Sequence, residues 1–215
     1  MNIITNLEKI KQEIKNNTAS KAVEIIAVSK TFPISHIMPL VNSGHRHFGE
    51  NKVQEAEKKW NEVKKSVKDL KLHMIGRLQS NKAKKAIELF DYIHSLDSEK
   101  LANELSKRQK EKGKNLGYFI QLNLGSEDQK GGLEIKDLKS FHDHCVNKLN
   151  LLVLGLMAIP PNDESPEKYF EKISELNRQY DFNFLSLGMS NDYLTAIKYG
   201  SSHVRIGSSI FGARS

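Results

Sequence analysis

Short apolar runs, each followed by an amphipathic stretch, recur from Glu24 to the end of the chain. Eight runs read as strands: EIIAVS from Glu24, RHFGE from Arg46, LHMIG from Leu72, YIHSL from Tyr92, YFIQLNLG from Tyr118, LLVLGLMAI from Leu151, NFLSLG from Asn183 and HVRIG from His203. Their starts are 22, 26, 20, 26, 33, 32 and 20 residues apart, and each interval has room for one helix and two short loops. The helices carry their own punctuation. Ser165-Pro166 opens one with a cap and a first-turn proline, its core face formed by Tyr169, Phe170, Ile173 and Leu176. Asp97-Ser98 opens another that closes at Gly113, and Ser190 opens a third that closes at Gly200. A further helix over residues 7–14 precedes the first strand and reads as an added cover within residues 1–20. Eight strands alternating with helices in 215 residues predict an α/β fold, a single-domain (β/α)8 TIM barrel toward the short end of its size range. An open doubly wound sheet is the runner-up, but no G-x-G-x-x-G turn follows the first strand.

Composition narrows the setting. Hydrophobic residues at 38% and charged residues at 27% describe a soluble globular chain, not a disordered one. The longest apolar run, residues 149–161, is interrupted by Asn150 and is too short to span a bilayer. The first nine residues lack the charged-then-apolar order of a signal peptide, so the expected compartment is the cytoplasm. The single cysteine, Cys145, excludes an intrachain disulfide and any all-cysteine metal site. Lys and Arg exceed Asp and Glu by 33 − 26 = 7. The cations are interleaved with acids, as in Glu55-Ala56-Glu57-Lys58-Lys59 and Lys107-Arg108-Gln109-Lys110-Glu111-Lys112, a pattern of solvated helix faces. Nucleic acid is therefore the minority reading, while a positive surface favours a small anionic ligand.

In a (β/α)8 barrel the active face lies where strands end and helices begin. The first strand ends in Ala27-Val28-Ser29-Lys30-Thr31. Lys30 is either a solvated lysine leaving a strand or an amine at a desolvated mouth, where its charged form is disfavoured and imine formation is open to it. The seventh and eighth strands end in Leu187-Gly188-Met189-Ser190-Asn191-Asp192 and Arg205-Ile206-Gly207-Ser208-Ser209. Glycines admitting close backbone approach, serine hydroxyls and free N–H groups at both ends together favour a phosphate site over simple turns. Asn51, after Phe48-Gly49-Glu50, either faces a ligand or caps the next helix. Met157 reads as packing. Arg77 is suited to an anion, although Ser80 and Asn81 explain much of their segment as caps. The pairs His45/His47 and His142/His144 have i, i+2 spacing, poor for chelation on a helix, and the first pair enters a strand at the opposite barrel mouth; no metal is predicted.

A lysine at the end of the first strand, with a phosphate site after the seventh and eighth, points to pyridoxal 5'-phosphate (PLP). With those residues in view, the chain resembles the pyridoxal phosphate homeostasis proteins, single-domain relatives of the alanine racemase barrel. The likeness runs from about Val23 to Arg214 through Ala27-Val28-Ser29-Lys30-Thr31, Phe48-Gly49-Glu50-Asn51-Lys52-Val53-Gln54-Glu55, His73-Met74-Ile75-Gly76-Arg77-Leu78-Gln79-Ser80-Asn81-Lys82, Gly155-Leu156-Met157, Gly188-Met189-Ser190-Asn191-Asp192 and Val204-Arg205-Ile206-Gly207-Ser208-Ser209-Ile210-Phe211-Gly212. The resemblance implies that Lys30 holds PLP as a Schiff base and that Ser190, Gly207 and Ser208 bind its phosphate, with Met189 lining that loop. It further implies that Arg205 faces the pyridine nitrogen and Asn51 lies beside the ring. Glu127-Asp128-Gln129-Lys130-Gly131-Gly132 resembles the family's Glu-x-x-Lys-x-Gly segment. Ser208 stands where many relatives carry threonine, and the hydroxyl survives. The implied function is PLP binding and buffering without robust catalysis. PLP-dependent apo-enzymes are the implied recipients, and the chain is expected to be a monomer without nucleic-acid or membrane partners. The alternative is a PLP-dependent amino-acid racemase. Two-base racemases of this barrel type draw a catalytic tyrosine from a second β domain, which a chain closing at Ser215 is expected to lack.

Overall fold

The computed structural model describes residues 2–18, 22–124, 131–161 and 165–212. Eight parallel strands close into a barrel in chain order: β1 (Glu24–Val28), β2 (His47–Glu50), β3 (Lys71–Met74), β4 (Tyr92–Leu96), β5 (Gly117–Leu122), β6 (Leu152–Ala158), β7 (Phe184–Met189) and β8 (His203–Ile206). The seam closes where β1 pairs with β8, Glu24 opposite His203 and Ala27 opposite Ile206. Helices α1 (Ile3–Asn17), α2 (Ile34–Asn42), α3 (Val53–Ser66), α4 (Ala83–Leu89), α5 (Glu99–Lys112), α6 (Leu138–Asp143), α7 (Glu167–Gln179), α8 (Tyr193–Lys198) and α9 (Ser208–Phe211) surround it. The expected (β/α)8 barrel is the observed fold.

The strand period of two divides the buried residues into two sets. Ile25, Ala27 and Phe48 join the cluster that packs the sheet against the helices, and Phe48 meets Trp60 of α3 with ring centres 4.8 Å apart. Ile26, Phe119 and Met157 are equally buried but stand outside that cluster, as the interior of the barrel requires. Met157 is thus packing.

Helix ends differ from expectation where a tertiary partner outbids a local one. α1 starts at Ile3, earlier than residue 7, because Asn2 Oδ1 caps the Ile4 N–H at 2.9 Å. It buries Ile3, Leu7, Ile10 and Ile14, and Asn6 Nδ2 donates to Ile210 O at 2.9 Å, fastening α1 to α9. α5 ends at Gly113 in the left-handed region, φ 60°, as its sequence indicates. Pro166 itself takes the cap position of α7, so Ser165 does not cap it. Ser190 does not open α8 either. Asp192 does, its carboxylate accepting the Met189 N–H at 2.5 Å. Ser80 and Asn81 lie in a 3-10 turn with no side-chain cap bond, so the capping account of that segment fails. His142 packs edge-on against Tyr180 and Phe182, while His144 meets Asn103 Oδ1 at 3.2 Å. They serve different neighbours.

Candidate functional site

Lys30, Asn51, Met189, Ser190, Arg205, Gly207 and Ser208 line one cavity of about 560 Å³ at the C-terminal ends of the strands. Phe32, Ile75, Ile159 and Asp192, which sequence reasoning did not single out, complete much of its wall. A larger cleft of about 870 Å³ adjoins it, shares Asn51, and holds Arg77 with Lys52, Lys82, Lys100 and Asp97. The smaller cavity brings Lys30, the buried Arg205 and the serines Ser190 and Ser208 together; the larger is a lysine-rimmed cleft. Arg77 therefore lies outside the Lys30 cavity.

The turn carrying Lys30 is strained. Thr31 sits at φ 71°, a region a β-branched residue enters only when its surroundings force it. The forcing network is ionic. Thr31 N–H donates to Glu55 Oε1 at 2.6 Å, and Lys59 Nζ donates to Glu55 Oε1 at 3.2 Å, Glu50 Oε1 at 2.9 Å and Ser29 O at 2.9 Å. Glu50 Oε1 also accepts from Ser29 Oγ at 2.8 Å and Trp60 Nε1 at 2.9 Å. Lys30 thus hangs between two residues tied to β2 and α3. Burial pushes the Glu55 carboxyl up, but the Thr31 amide and the Lys59 ammonium outweigh it and hold it below its ordinary value. The expectation of a solvated face over residues 55–59 fails at Lys59, whose side chain is only 7% exposed. Phe32, next in the chain, stacks on Phe211 with ring centres 5.0 Å apart and binds the turn to α9.

Opposite the lysine, the loops after β7 and β8 meet. The N–H groups of Gly207 and Ser209 donate to Ser190 Oγ at 3.2 and 3.3 Å. Ser190 Oγ accepts both, which leaves its own proton to donate, and with Gly207 and Ser208 it lines the cavity, hydroxyl and glycine residues of the kind an anion site uses. Gly207 is informative because nothing in the fold demands glycine there. Its φ is −115°, and a Cβ would meet Val28 at an ordinary 3.4 Å. An empty side-chain position that the protein does not need leaves room for a ligand. Gly207→Ala is expected to leave the unfolding midpoint within about 2 °C, a change of about 1 kcal/mol at most, while weakening a phosphorylated ligand at least about tenfold, or about 1.4 kcal/mol, in a titration. Equal affinities for variant and parent would remove Gly207 from the site. Gly76 has the opposite logic: a Cβ there would lie 2.5 Å from Asn51 O, so its absence lets Asn51 reach the cavity edge. Asn51 does not cap α3, where Lys52 holds the cap position.

Arg205 is 4% exposed, on β8 with its head inside the barrel. Nη1 donates to Ser186 O and Ser186 Oγ, both at 2.7 Å, and Nη2 donates to Ala158 O at 2.9 Å. Three of its five N–H donors are so engaged. Burial lowers its pKa to about 10, with Asp192 opposing, which leaves it a cation at neutral pH. No carboxylate lies within ion-pair distance of it among the described residues.

His47 opens β2 in a third cavity, about 640 Å³, at the opposite mouth, as expected of a residue entering a strand. Among the described residues no group of three His, Cys, Asp or Glu side chains converges as a metal site. Of Glu127-Asp128-Gln129-Lys130-Gly131-Gly132, the first four residues lie outside the described residues; Gly131 and Gly132 have φ 66° and 111°.

The family model of the alanine racemase N-terminal domain matches residues 2–215. The chain is 37% identical to a pyridoxal phosphate homeostasis protein of Haemophilus influenzae, over 100% of this chain and 97% of that one. It is 38% identical to one of Aquifex aeolicus, over 100% and 99%. PipY of Synechococcus elongatus, solved without PLP and with PLP bound, superposes with TM-scores of 0.88 and 0.86 at 33% identity, covering 98% of this chain and 100% of that one. An alanine racemase of Clostridium difficile shares the fold, at a TM-score of 0.74 and 15% identity over 99% of this chain and 57% of that one. A full-length match at these identities makes this chain a member of the alanine racemase N-terminal domain family, in its branch of pyridoxal phosphate homeostasis proteins.

Proposed function

We propose that this chain binds PLP in the cavity between β1, β7 and β8 and serves intracellular PLP homeostasis as a carrier, not a catalyst. One observation carries the reading: Lys30, the buried guanidinium of Arg205 and the Ser190, Gly207 and Ser208 segment line a single cavity of about 560 Å³. The residues fit the cofactor. Lys30 supplies the amine for covalent attachment at the aldehyde. Ser190, Ser208 and the N–H groups of Gly207 and Ser209 supply donors for the phosphate, in charge-assisted bonds roughly twice as strong as neutral ones. Arg205 would offer its remaining donors to the ring nitrogen, and Asn51 and Met189 would line the space for the ring and the phosphate loop. Within this reading the recipients are PLP-dependent apo-enzymes and the chain acts as a cytoplasmic monomer; among the described residues no helix is long and apolar enough to cross a membrane. Borohydride reduction of the loaded protein followed by peptide mapping tests the site. Label confined to the Lys30 peptide is expected, and label spread over surface lysines would sink the proposal.

Arg205 also supports the carrier reading. When bound, PLP supplies an electron sink for carbanions at an amino-acid Cα, and the sink weakens when its ring nitrogen is unprotonated. A guanidinium has donors and no acceptor, so it favours that unprotonated nitrogen. Loaded protein incubated with L-alanine in deuterated water is therefore expected to show Cα exchange close to that of free PLP. Rapid deuteration or racemisation would revive the enzyme reading.

A further inference from the structure

Below Arg205 the barrel interior holds a column of polar side chains, where barrels of this type usually pack branched aliphatic ones. Ser186 Oγ, which accepts from Arg205 Nη1 at 2.7 Å, lies 2.9 Å from His94 Nδ1. His94 Nε2 lies 2.9 Å from His73 Nδ1, and His73 Nε2 lies 3.0 Å from His47 Nδ1. His47 Nε2 then faces Glu24 Oε2 at 3.4 Å, in the cavity at the opposite mouth. Tyr92 stacks on His73 and Phe119 on His94, with ring centres 4.5 and 4.3 Å apart, so both imidazoles are enclosed. The three rings meet through consecutive N···N contacts and do not converge on a point, which is the geometry of a chain and not of a metal site.

The two ends fix the order of protons along it. A guanidinium only donates and a carboxylate only accepts. The Ser186 oxygen already receives Arg205, and among the described residues its hydroxyl proton meets one acceptor, His94 Nδ1. A neutral imidazole accepting at Nδ1 carries its proton on Nε2 and donates onward from there. The same assignment repeats at His73 and His47, whose Nε2 proton then faces the Glu24 carboxylate across the longer contact of 3.4 Å. Every N–H and O–H in the column then points away from Arg205 and toward Glu24. Burial, reinforced by neighbouring imidazoles and Arg205, holds His73 and His94 well below the ordinary imidazole range, so both are neutral, as this order requires.

We propose that His47, His73 and His94 form a polarised hydrogen-bond relay that positions Arg205 through Ser186 and couples the Glu24 mouth of the barrel to the cofactor face. The cofactor half of this inference rests on Arg205 facing the PLP ring; the relay itself does not. Inside a buried network two donors, or two acceptors, facing each other are strongly disfavoured, so one ring cannot change its tautomer without the others. If the Glu24 end becomes a donor, the rings are driven to carry their protons on Nδ1. Ser186 then receives two donors, its own proton loses its acceptor, and the guanidinium is disturbed across the length of the barrel. These three histidines and Ser186 are positioning residues.

Nitrogen NMR of cofactor-free protein labelled at histidine tests the relay without PLP. His47, His73 and His94 are expected as neutral rings protonated at Nε2. Glu24 is partly exposed, so Glu24→Lys keeps the fold while replacing the acceptor opposite His47 with a group that only donates. The His94 Nδ1 resonance is then expected to move toward the protonated range, two rings away from the substitution, and the absorbance maximum of the PLP-loaded variant to shift with it. An Nδ1-protonated ring in the parent, or a Glu24→Lys change confined to His47, overturns the relay. A moved His94 with unchanged absorbance overturns its coupling to the cofactor. Ser186→Ala approaches from the other end, with loss of the His94 signature and of at least tenfold in PLP affinity expected, and Ser186→Thr restoring both. If that variant does not fold, the Glu24→Lys arm decides. Failure of Lys30 labelling would remove the cofactor reading and leave the NMR result standing.

Discussion

Lys30→Ala is expected to abolish the visible absorbance band that PLP acquires on attachment to a lysine, and to weaken binding about 100-fold, or about 2.7 kcal/mol. The fold should survive. The turn around Lys30 is held by its neighbours: Ser29 through Glu50 and Lys59, and Thr31 through Glu55. Those contacts use backbone atoms and the Ser29 hydroxyl, which the substitution leaves in place. An unfolding midpoint within a few degrees of the parent is therefore the expected control. Residual binding should remain phosphate-dependent, because the N–H groups of Gly207 and Ser209 are untouched. Pyridoxal without the phosphate should bind the variant too weakly to measure. A Lys30→Ala protein that keeps the band would transfer the attachment to another lysine and remove Lys30 from its role.

The barrel was legible in the sequence because eight apolar runs at regular spacing leave few other ways to bury them. The strand-end rule singled out Lys30, Ser190 and Gly207, which the fold brings to one cavity. Tertiary contacts made the rest illegible. Ser190 reads as a helix cap, yet its hydroxyl faces the loop after β8, because Asp192 has taken the cap. Glu55 and Lys59 read as a solvated i, i+4 pair, but α3 turns them toward the Lys30 turn. The strain at Thr31 leaves no trace in residue type, since threonine has no preference for positive φ. The imidazole column is hidden for another reason. His47, His73, His94 and Ser186 sit on four different strands, and only the barrel's register and closure bring them into line.

Lys59→Met is expected to produce the largest stability loss among single substitutions around the site. The Glu50 side chain is fully buried and that of Lys59 is 7% exposed. The ammonium spends all three donors on Ser29 O, Glu50 and Glu55. Removing one partner of a buried ion pair leaves an uncompensated charge, a loss of about 3–5 kcal/mol. For a domain of this size that lowers the unfolding midpoint by roughly 10 °C. Glu50 retains two neutral donors, Ser29 Oγ and Trp60 Nε1, which place the expected loss toward the lower end of that range. Lys59→Met combined with Glu50→Gln removes the stranded charge and keeps an acceptor for both donors, so the double variant should recover more than half of the loss. Acid should act in the same direction on the parent. Glu55 is held below its ordinary value, so its contribution is complete above the usual carboxylate range and fades as pH falls through and below it. The consequence reaches the cofactor as well. With Ser29 O and Glu55 released, the strained backbone at Thr31 relaxes and Lys30 loses its fixed position, so PLP affinity should fall even at temperatures where the variant is fully folded. A Lys59→Met protein with parental stability and affinity would show that the Glu50–Lys59–Glu55 network neither braces the barrel nor aims the lysine.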